Sequence, residues 1–367
     1  MKRFISLAVC IVFAVCCFDM GCLAYSAKSY ILINADTGEV LCSCNENAKL
    51  PMASTTKIMT ALLLCESFPD LESSITVPDG IAAEGTSMGL KPGDTVTPKA
   101  LLYGMMLASG NDAANAAAIA VSGSIKDFVR LMNKKAQKLG LNDTNFATPS
   151  GLDGENHYTT ARDMAFLARE ALKCEELAKA CRTESITVSY GTPGIGHTLK
   201  NHNRLLREYE DITGVKTGYT SAAGRCLVSS SEKDGMSLIC VTLNDKNDWA
   251  DHRNLLDFGY DLLKQRKRSF ESYFVNTVTV CGDTVSLPVP KIDYYSVGDA
   301  GVKIKAEVPR MLYPPLKKGD AVGSVYYFYD QRCIKEMKLV LKYDIEEEKH
   351  TALSGIISIF RAGICSV

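Results

Sequence analysis

The sequence predicts an α/β sandwich followed by a smaller all-β domain, and three observations carry that expectation. Hairpin patterns occur near the start and again some two hundred residues later, and a tract with helical periodicity lies between them. Beyond residue 265 the pattern changes to short alternating strands broken by Gly-Asp turns. Strands, then helices, then strands place both ends of the first domain in one sheet.

The elements follow in order. Lys2 and Arg3 precede an apolar run from Phe4 to Phe18, and small residues stand at Ala24 and Ala27, so residues 1–24 read as a secretory signal. The run is short for a bilayer, and Asp19 interrupts it. The mature chain is therefore expected to work outside the cytoplasm. Residues 25–265 form the first domain. It opens with Tyr30–Asn34 and Glu39–Cys42 flanking Asp36-Thr-Gly38, the pattern of two strands and a tight turn. Ile58–Cys65 is apolar almost all round, which predicts a helix buried on every side and beginning near Ser54.

Ser124 caps a helix carrying Phe128, Leu131, Met132, Ala136 and Leu139, which Gly140 ends. Thr160-x-x-Asp163 opens another, with Met164, Leu167 and Ala168 inward. Cys226–Val228 and Met236–Leu243 around Asp234-Gly235 predict a second hairpin, and Leu255–Leu262 a closing helix. Residues 266–349 are the small β domain, with turns at Gly282, Gly298 and Gly319. In residues 350–367, Leu353, Ile356, Ile357, Phe360 and Ile364 share one helical face, as in a helix lying in a lipid headgroup layer; docking onto the protein itself is the alternative.

Composition narrows the function. Lys and Arg total 41 against 42 Asp and Glu, a formal charge of -1, so no basic field recommends a nucleic-acid partner. Four of the 14 cysteines (Cys10, Cys16, Cys17 and Cys22) fall in the signal, and the others show no closed metal spacing. Cys42-x-Cys44 reads as structural, while Cys174 and Cys181 are either a pair or free buried thiols. No His-Glu-x-x-His occurs, and neither a metal nor a cofactor is expected.

Three short motifs carry chemistry: Ser54-Thr-Thr-Lys57, Ser109-Gly-Asn111 and Lys216-Thr-Gly218. Singly they are weak, and together in this order they are strong. Positions i and i+3 of a helix share a face, so Lys57 reaches the Ser54 hydroxyl. To act as its base Lys57 must be neutral, which needs a desolvated site or a cationic neighbour such as Lys216. The helix start offers unpaired N–H groups to an oxyanion, and the Tyr219 N–H on the third motif's strand is placed to complete that hole. Ser109 is suited to relaying a proton, and Asn111 to pairing with a substrate amide. Lys216 and Thr217 suit a terminal carboxylate, and Gly218 permits close backbone approach.

With these motifs the sequence resembles the low-molecular-mass penicillin-binding proteins that act as D-alanyl-D-alanine carboxypeptidases. The resemblance runs from about Tyr30 to Tyr260. It includes Leu50-Pro-Met-Ala-Ser54, Gly85-Thr-Ser-Met-Gly-Leu-Lys-Pro-Gly93, Gly151-Leu-Asp153 with His157-Tyr158, and Gly214-Val-Lys-Thr-Gly-Tyr219. It implies a β-lactamase/transpeptidase-like catalytic domain that removes the terminal D-alanine from peptidoglycan stem peptides through an acyl-enzyme on Ser54, and that β-lactams acylate. It also implies that the β domain is a spacer and the terminal helix an anchor to the outer leaflet. Tyr219 stands where members often carry His, and a further cation is expected beyond the strand; Arg253 is the candidate, with Arg225 also close in sequence. A serine β-lactamase is the nearest alternative, but no Glu-x-x-Leu-Asn lies between Asn111 and Lys216. A non-catalytic wall-binding module is the other.

Overall fold

A computed structural model describes residues 25–279 and 282–346. The expected signal and terminal helix lie outside the described residues. Strands β1 (Ser29–Asn34) and β2 (Val40–Cys44) form the first hairpin, and a 3-10 turn over Ala53–Thr56 leads into helix α1 (Lys57–Ser67). A two-residue ladder of β3 (Ile75–Thr76) and β4 (Thr95–Val96) brackets a loop. Five helices follow: α2 (Pro98–Met106), α3 (Asn111–Ser122), α4 (Ile125–Lys138), α5 (Ala161–Ala171) and α6 (Glu175–Arg182). A surface hairpin of β5 (Ser185–Tyr190) and β6 (Ile195–Lys200) and a short helix α7 (Leu205–Glu208) precede β7 (Ile212–Thr220), β8 (Gly224–Lys233) and β9 (Met236–Leu243). Helix α8 (Asp248–Lys264) closes the domain.

The sheet runs β2-β1-β9-β8-β7, antiparallel throughout, so β1 lies beside β9 from the far end of the domain. Alternation along β1 shows why it is central: Ile31 and Ile33 enter the core shared with the helices, while Leu32 enters a second core with Leu255, Leu256 and Tyr260 of α8. Helices thus cover both faces. In α1 every residue from Lys57 to Leu64 is buried, which matches its unbroken apolar sequence. Local signals match as well. Ser124 Oγ accepts from Asp127 N and Thr160 Oγ1 from Asp163 N, both at 3.0 Å. Asp234 and Gly235 both have positive φ, as the tight β8–β9 turn requires.

The second domain is built of strands. β10 (Lys267–Phe270) pairs with β13 (Ile292–Tyr295), β11 (Tyr273–Thr279) with β12 (Thr284–Val289) and β15 (Met311–Leu312), and β16 (Ala321–Tyr329) with β14 (Lys303–Glu307) and β17 (Arg332–Val340). Its core is separate, around Leu287, Val325, Tyr327 and Leu339. The joint mixes contacts: Tyr295 and Val297 pack on the core beneath α8, Glu39, just past the first hairpin's turn, accepts from Gly298 N at 2.7 Å and Tyr329 OH at 2.8 Å, and Asn34 Nδ2 donates to Tyr295 O. The described cysteines are all free, Cys174 and Cys181 included.

Candidate active site

Ser54 sits in the 3-10 turn ahead of α1, and that turn is held open by its neighbours. Ala53 has a φ of 47°, unusual for a residue with a side chain. A Cβ on Gly151 would lie 2.0 Å from Ala53 O, so only glycine fits there. Thr56 Oγ1 donates to Ala53 O at 2.8 Å and lies 2.8 Å from His157 Nε2. Ala147 N donates to His157 Nδ1, which leaves the ring proton on Nε2 facing Thr56. Burial brings the His157 pKa down to about 4, so the ring is neutral and supports the turn. The Gly151 and His157 segments of the sequence are therefore the frame of the Ser54 turn.

Lys57 is fully buried and its Nζ lies 3.0 Å from Ser54 Oγ, 2.7 Å from Asn111 Oδ1 and 2.6 Å from Ser150 O. Two of these are acceptors only, so a neutral amine directs both its N–H bonds to them and its lone pair to the hydroxyl. Burial holds Lys57 well below the usual lysine range, and the Lys216 cation pushes the same way while Asp112 opposes it.

The second motif is a tight turn between two buried helices. Ser109 has a φ of 57° and Asn111 is the first residue of α3. Asn111 Nδ2 donates to Glu84 O, its backbone N to Thr86 O at 2.8 Å, and Thr86 Oγ1 to Ser109 O at 2.7 Å. The loop after β3 is thereby fastened to the turn. On β7, Lys216 is fully buried and donates to Thr217 O at 3.1 Å; burial lowers its pKa to about 7. Close packing explains the glycines: a Cβ on Gly214 would meet Cys181 Cβ at 2.7 Å, and one on Gly218 would meet Ser54 N at 3.1 Å. The strand thus lies directly against the Ser54 turn.

A cleft opens over these groups, lined by Ser54, Thr86, Ser109, Thr217, Gly218 and Tyr219, with His202, Arg225, Asp248 and Trp249 at one end. Ser54, Lys57, Ser109, Asn111, Lys216, Thr217, Gly218 and Tyr219 therefore converge. Arg253 does not. Its guanidinium is held by both oxygens of Asp211 at 3.0 and 3.1 Å and by Asp257, over the Tyr209 ring and away from the cleft. Its place on α8 faces the beginning of β7, whereas the cleft lies toward that strand's end. The cation in the cleft is Arg225, opposite Tyr219 in the ladder, with Nη2 2.8 Å from Asp248 Oδ1 and its plane over Trp249. Sequence reasoning also missed Ser150 O, Asp112 and Trp249. Counting the β7–β8 ladder back from its turn would have paired Arg225 with Tyr219. Among the described residues no cluster of three or more His, Cys, Asp or Glu is arranged to hold a metal.

A second cavity, where α5 and α6 meet the sheet and bounded by Arg169, Lys173, Arg182 and Glu232, has Arg182 paired with Glu232 and Lys173 with Glu170. It holds no amine beside a hydroxyl.

The chain is similar to known proteins over nearly its whole described length. Residues 19–247 match the family model described as D-alanyl-D-alanine carboxypeptidase, and residues 279–347 the one described as penicillin-binding protein 5, C-terminal domain. The D-alanyl-D-alanine carboxypeptidase DacF of Bacillus subtilis is 35% identical over 89% of this chain and 87% of its own length. DacA of Escherichia coli is 30% identical over 88% of this chain and 84% of its own. The crystal structure of penicillin binding protein 5 from Haemophilus influenzae superposes with a TM-score of 0.62 at 28% identity, covering 88% of this chain and 98% of that one. A Streptomyces DD-transpeptidase gives a TM-score of 0.62 at 30% identity over 65% of this chain and 98% of its own. With its fold, its three motifs in one cleft and these matches, the chain belongs to the D-alanyl-D-alanine carboxypeptidase family.

Proposed function

We propose that this protein is a serine D-alanyl-D-alanine carboxypeptidase that trims peptidoglycan stem peptides through an acyl-enzyme on Ser54 and is acylated by β-lactams. The observation that carries the reading is the buried Lys57 amine, 3.0 Å from Ser54 Oγ and hydrogen-bonded to two acceptors that fix its lone pair. Lys57 takes the Ser54 proton as Oγ bonds to the penultimate D-alanyl carbonyl carbon. The N–H groups of Ser54 and Tyr219 face the oxyanion. Ser109 passes the proton from Lys57 to the leaving amine, the C–N bond breaks, and D-alanine departs. Water then attacks the ester, gives a proton to Lys57, and Ser54 recovers it as the shortened peptide leaves. A β-lactam follows the same first step, but its amine remains tethered.

Substrate recognition follows from what each group has left to offer. Asn111 directs Oδ1 to Lys57 and one N–H to Glu84 O, and its second N–H is available to a substrate carbonyl. Lys216 and Thr217 suit the terminal carboxylate, and Arg225 takes the role first assigned to Arg253. Mass spectrometry of a stem pentapeptide after incubation tests the reading: loss of a single alanine is expected with wild type and not with Ser54→Ala. An intact peptide with folded wild-type enzyme would sink it.

The same reading has the chain exported by residues 1–24 and held on the outer leaflet by residues 350–367. Its support is the charged and apolar pattern of the first segment and the single apolar face of the last. No helix among the described residues is long and apolar enough to cross a membrane. Ending the chain at His350 should move it from the membrane fraction to the soluble one; unchanged sedimentation with membranes would exclude the tail as anchor.

A further inference from the structure

The segment Gly85–Gly93 accompanies the three motifs in sequence, yet none of the chemical roles above uses it. Its structural partner is Asp112, the residue after Asn111. Asp112 is buried, 5% exposed, and accepts from four donors of that loop: Ser87 Oγ at 2.7 Å, Met88 N at 3.0 Å, and Gly89 N and Leu90 N at 2.9 Å. Ala113 N is a fifth donor at 2.9 Å. Three consecutive backbone N–H groups converging on one carboxylate fix the path of a loop that has no regular structure of its own. The loop is also fastened to the catalytic turn through Thr86 and Glu84, and Tyr190 OH donates to Met88 O at 2.5 Å from β5.

We propose that Asp112 is a positioning residue for catalysis: its carboxylate gathers the 84–90 loop into a cleft wall against Ser109 and Asn111, and its charge offsets that of Lys216 around Lys57. The proposal rests on Lys57 being the base for Ser54. The charged groups acting on Lys57 are Lys216 from β7 and Asp112 from α3; Cys181 from α6 and His202 in turn face Lys216, and Tyr190 faces Asp112. Burial does most to keep Lys57 neutral; Lys216 pushes the same way and Asp112 favours the protonated amine, so these two charges adjust the pH below which Lys57 stops accepting the Ser54 proton.

The test is the pH profile of penicillin acylation in Asp112→Asn. An amide offers one acceptor oxygen where the carboxylate offers two, and its NH2 group faces donors. Acylation at the optimum should fall about tenfold or more, and the acid limb should move to lower pH, because a charge that favoured protonated Lys57 is gone. A purely structural role would lower the rate without moving that limb, so a limb at the wild-type position overturns the proposal. Ser87→Ala keeps the charge and removes one loop contact. It should raise hydrogen exchange over Met88–Leu90 and slow acylation a few-fold, with the limb unmoved. A loosened loop with undiminished acylation would also overturn the proposal, and this arm holds even if Asp112→Asn fails to fold. Absence of penicillin labelling in wild type would instead strike the assignment of Ser54.

Discussion

Lys57→Ala is expected to slow acylation of Ser54 by labelled penicillin by about 10²–10⁴-fold, the range for loss of a general base. The fold should survive, for burying the amine at the cost of its charge was itself unfavourable. Against that gain stand Asn111 Oδ1 and Ser150 O, which lose their partner in a buried site at about 1–3 kcal/mol each. The two effects oppose, so the melting temperature should change by only a few degrees while labelling nearly disappears. Labelling at the wild-type rate in a folded variant would remove Lys57 from the mechanism. A parallel loss of labelling and of circular dichroism would mean that Lys57 is needed for folding.

Lys216→Met is the second large effect, and it should separate activity from stability. The ammonium of Lys216 is fully buried, and its hydrogen bond goes to the adjacent Thr217 carbonyl. Burial lowers its folded pKa to about 7, from an ordinary lysine value of 10.5. For a base with a depressed folded pKa, stability is fully present above the unfolded value and is lost as pH falls toward the folded one. Lys216 should therefore add to the wild type's gain in stability between pH 7 and 10, by up to roughly 1.4 kcal/mol per unit, and Lys216→Met should lose that share and keep only the part that the depressed Lys57 supplies. The variant should be at least as stable at pH 7, yet its kcat/KM on a D-Ala-D-Ala peptide should fall about 100-fold or more. Its acid limb should move to higher pH, because the cation that favoured neutral Lys57 is gone. That direction is opposite to the one expected for Asp112→Asn. As a control, Arg225→Ala should raise KM more than Arg253→Ala, since only Arg225 reaches the cleft. Identical slopes of stability with pH in wild type and Lys216→Met would refute the electrostatic account.

The readable parts of the fold were those written in local chemistry. Ser124 and Thr160 are caps whose partners lie three residues away, and Asp234-Gly235 is a turn whose dihedral needs few residues satisfy. The three motifs were legible because each couples residues at fixed spacing on one element. What escaped depends on contacts between distant segments. Lys57 bonds to Ser150 O, 93 residues away, through a carbonyl that any residue type supplies, so nothing in the sequence marks it. Arg253 and Arg225 were equally available as cations. Their difference arises from Asp211 and Asp257, which hold the first aside, and from the β7–β8 register, which delivers the second. The β5–β6 hairpin is absent from the sequence expectations although β5 carries a readable signal, with Ser185, Thr187 and Ser189 outward and Ile186, Val188 and Tyr190 inward; its partner β6, with Gly196 and a mostly exposed burial pattern, does not repeat it.

The pairing of β1 with β9 has a kinetic consequence. Ser29 meets Leu243 and Asn34 meets Leu238, so the middle of the sheet closes a loop of about two hundred residues. Such remote pairing slows folding, and a chain still lacking β9 has no partner for the outer edge of β1. While the later strands are being made, the first hairpin stays an open template, and the nucleophile turn lacks the β7 backbone that packs on it. Reactivity thus arrives last, after the whole first domain has been threaded out and collapsed, and a nascent chain stalled before residue 212 should be inert to penicillin.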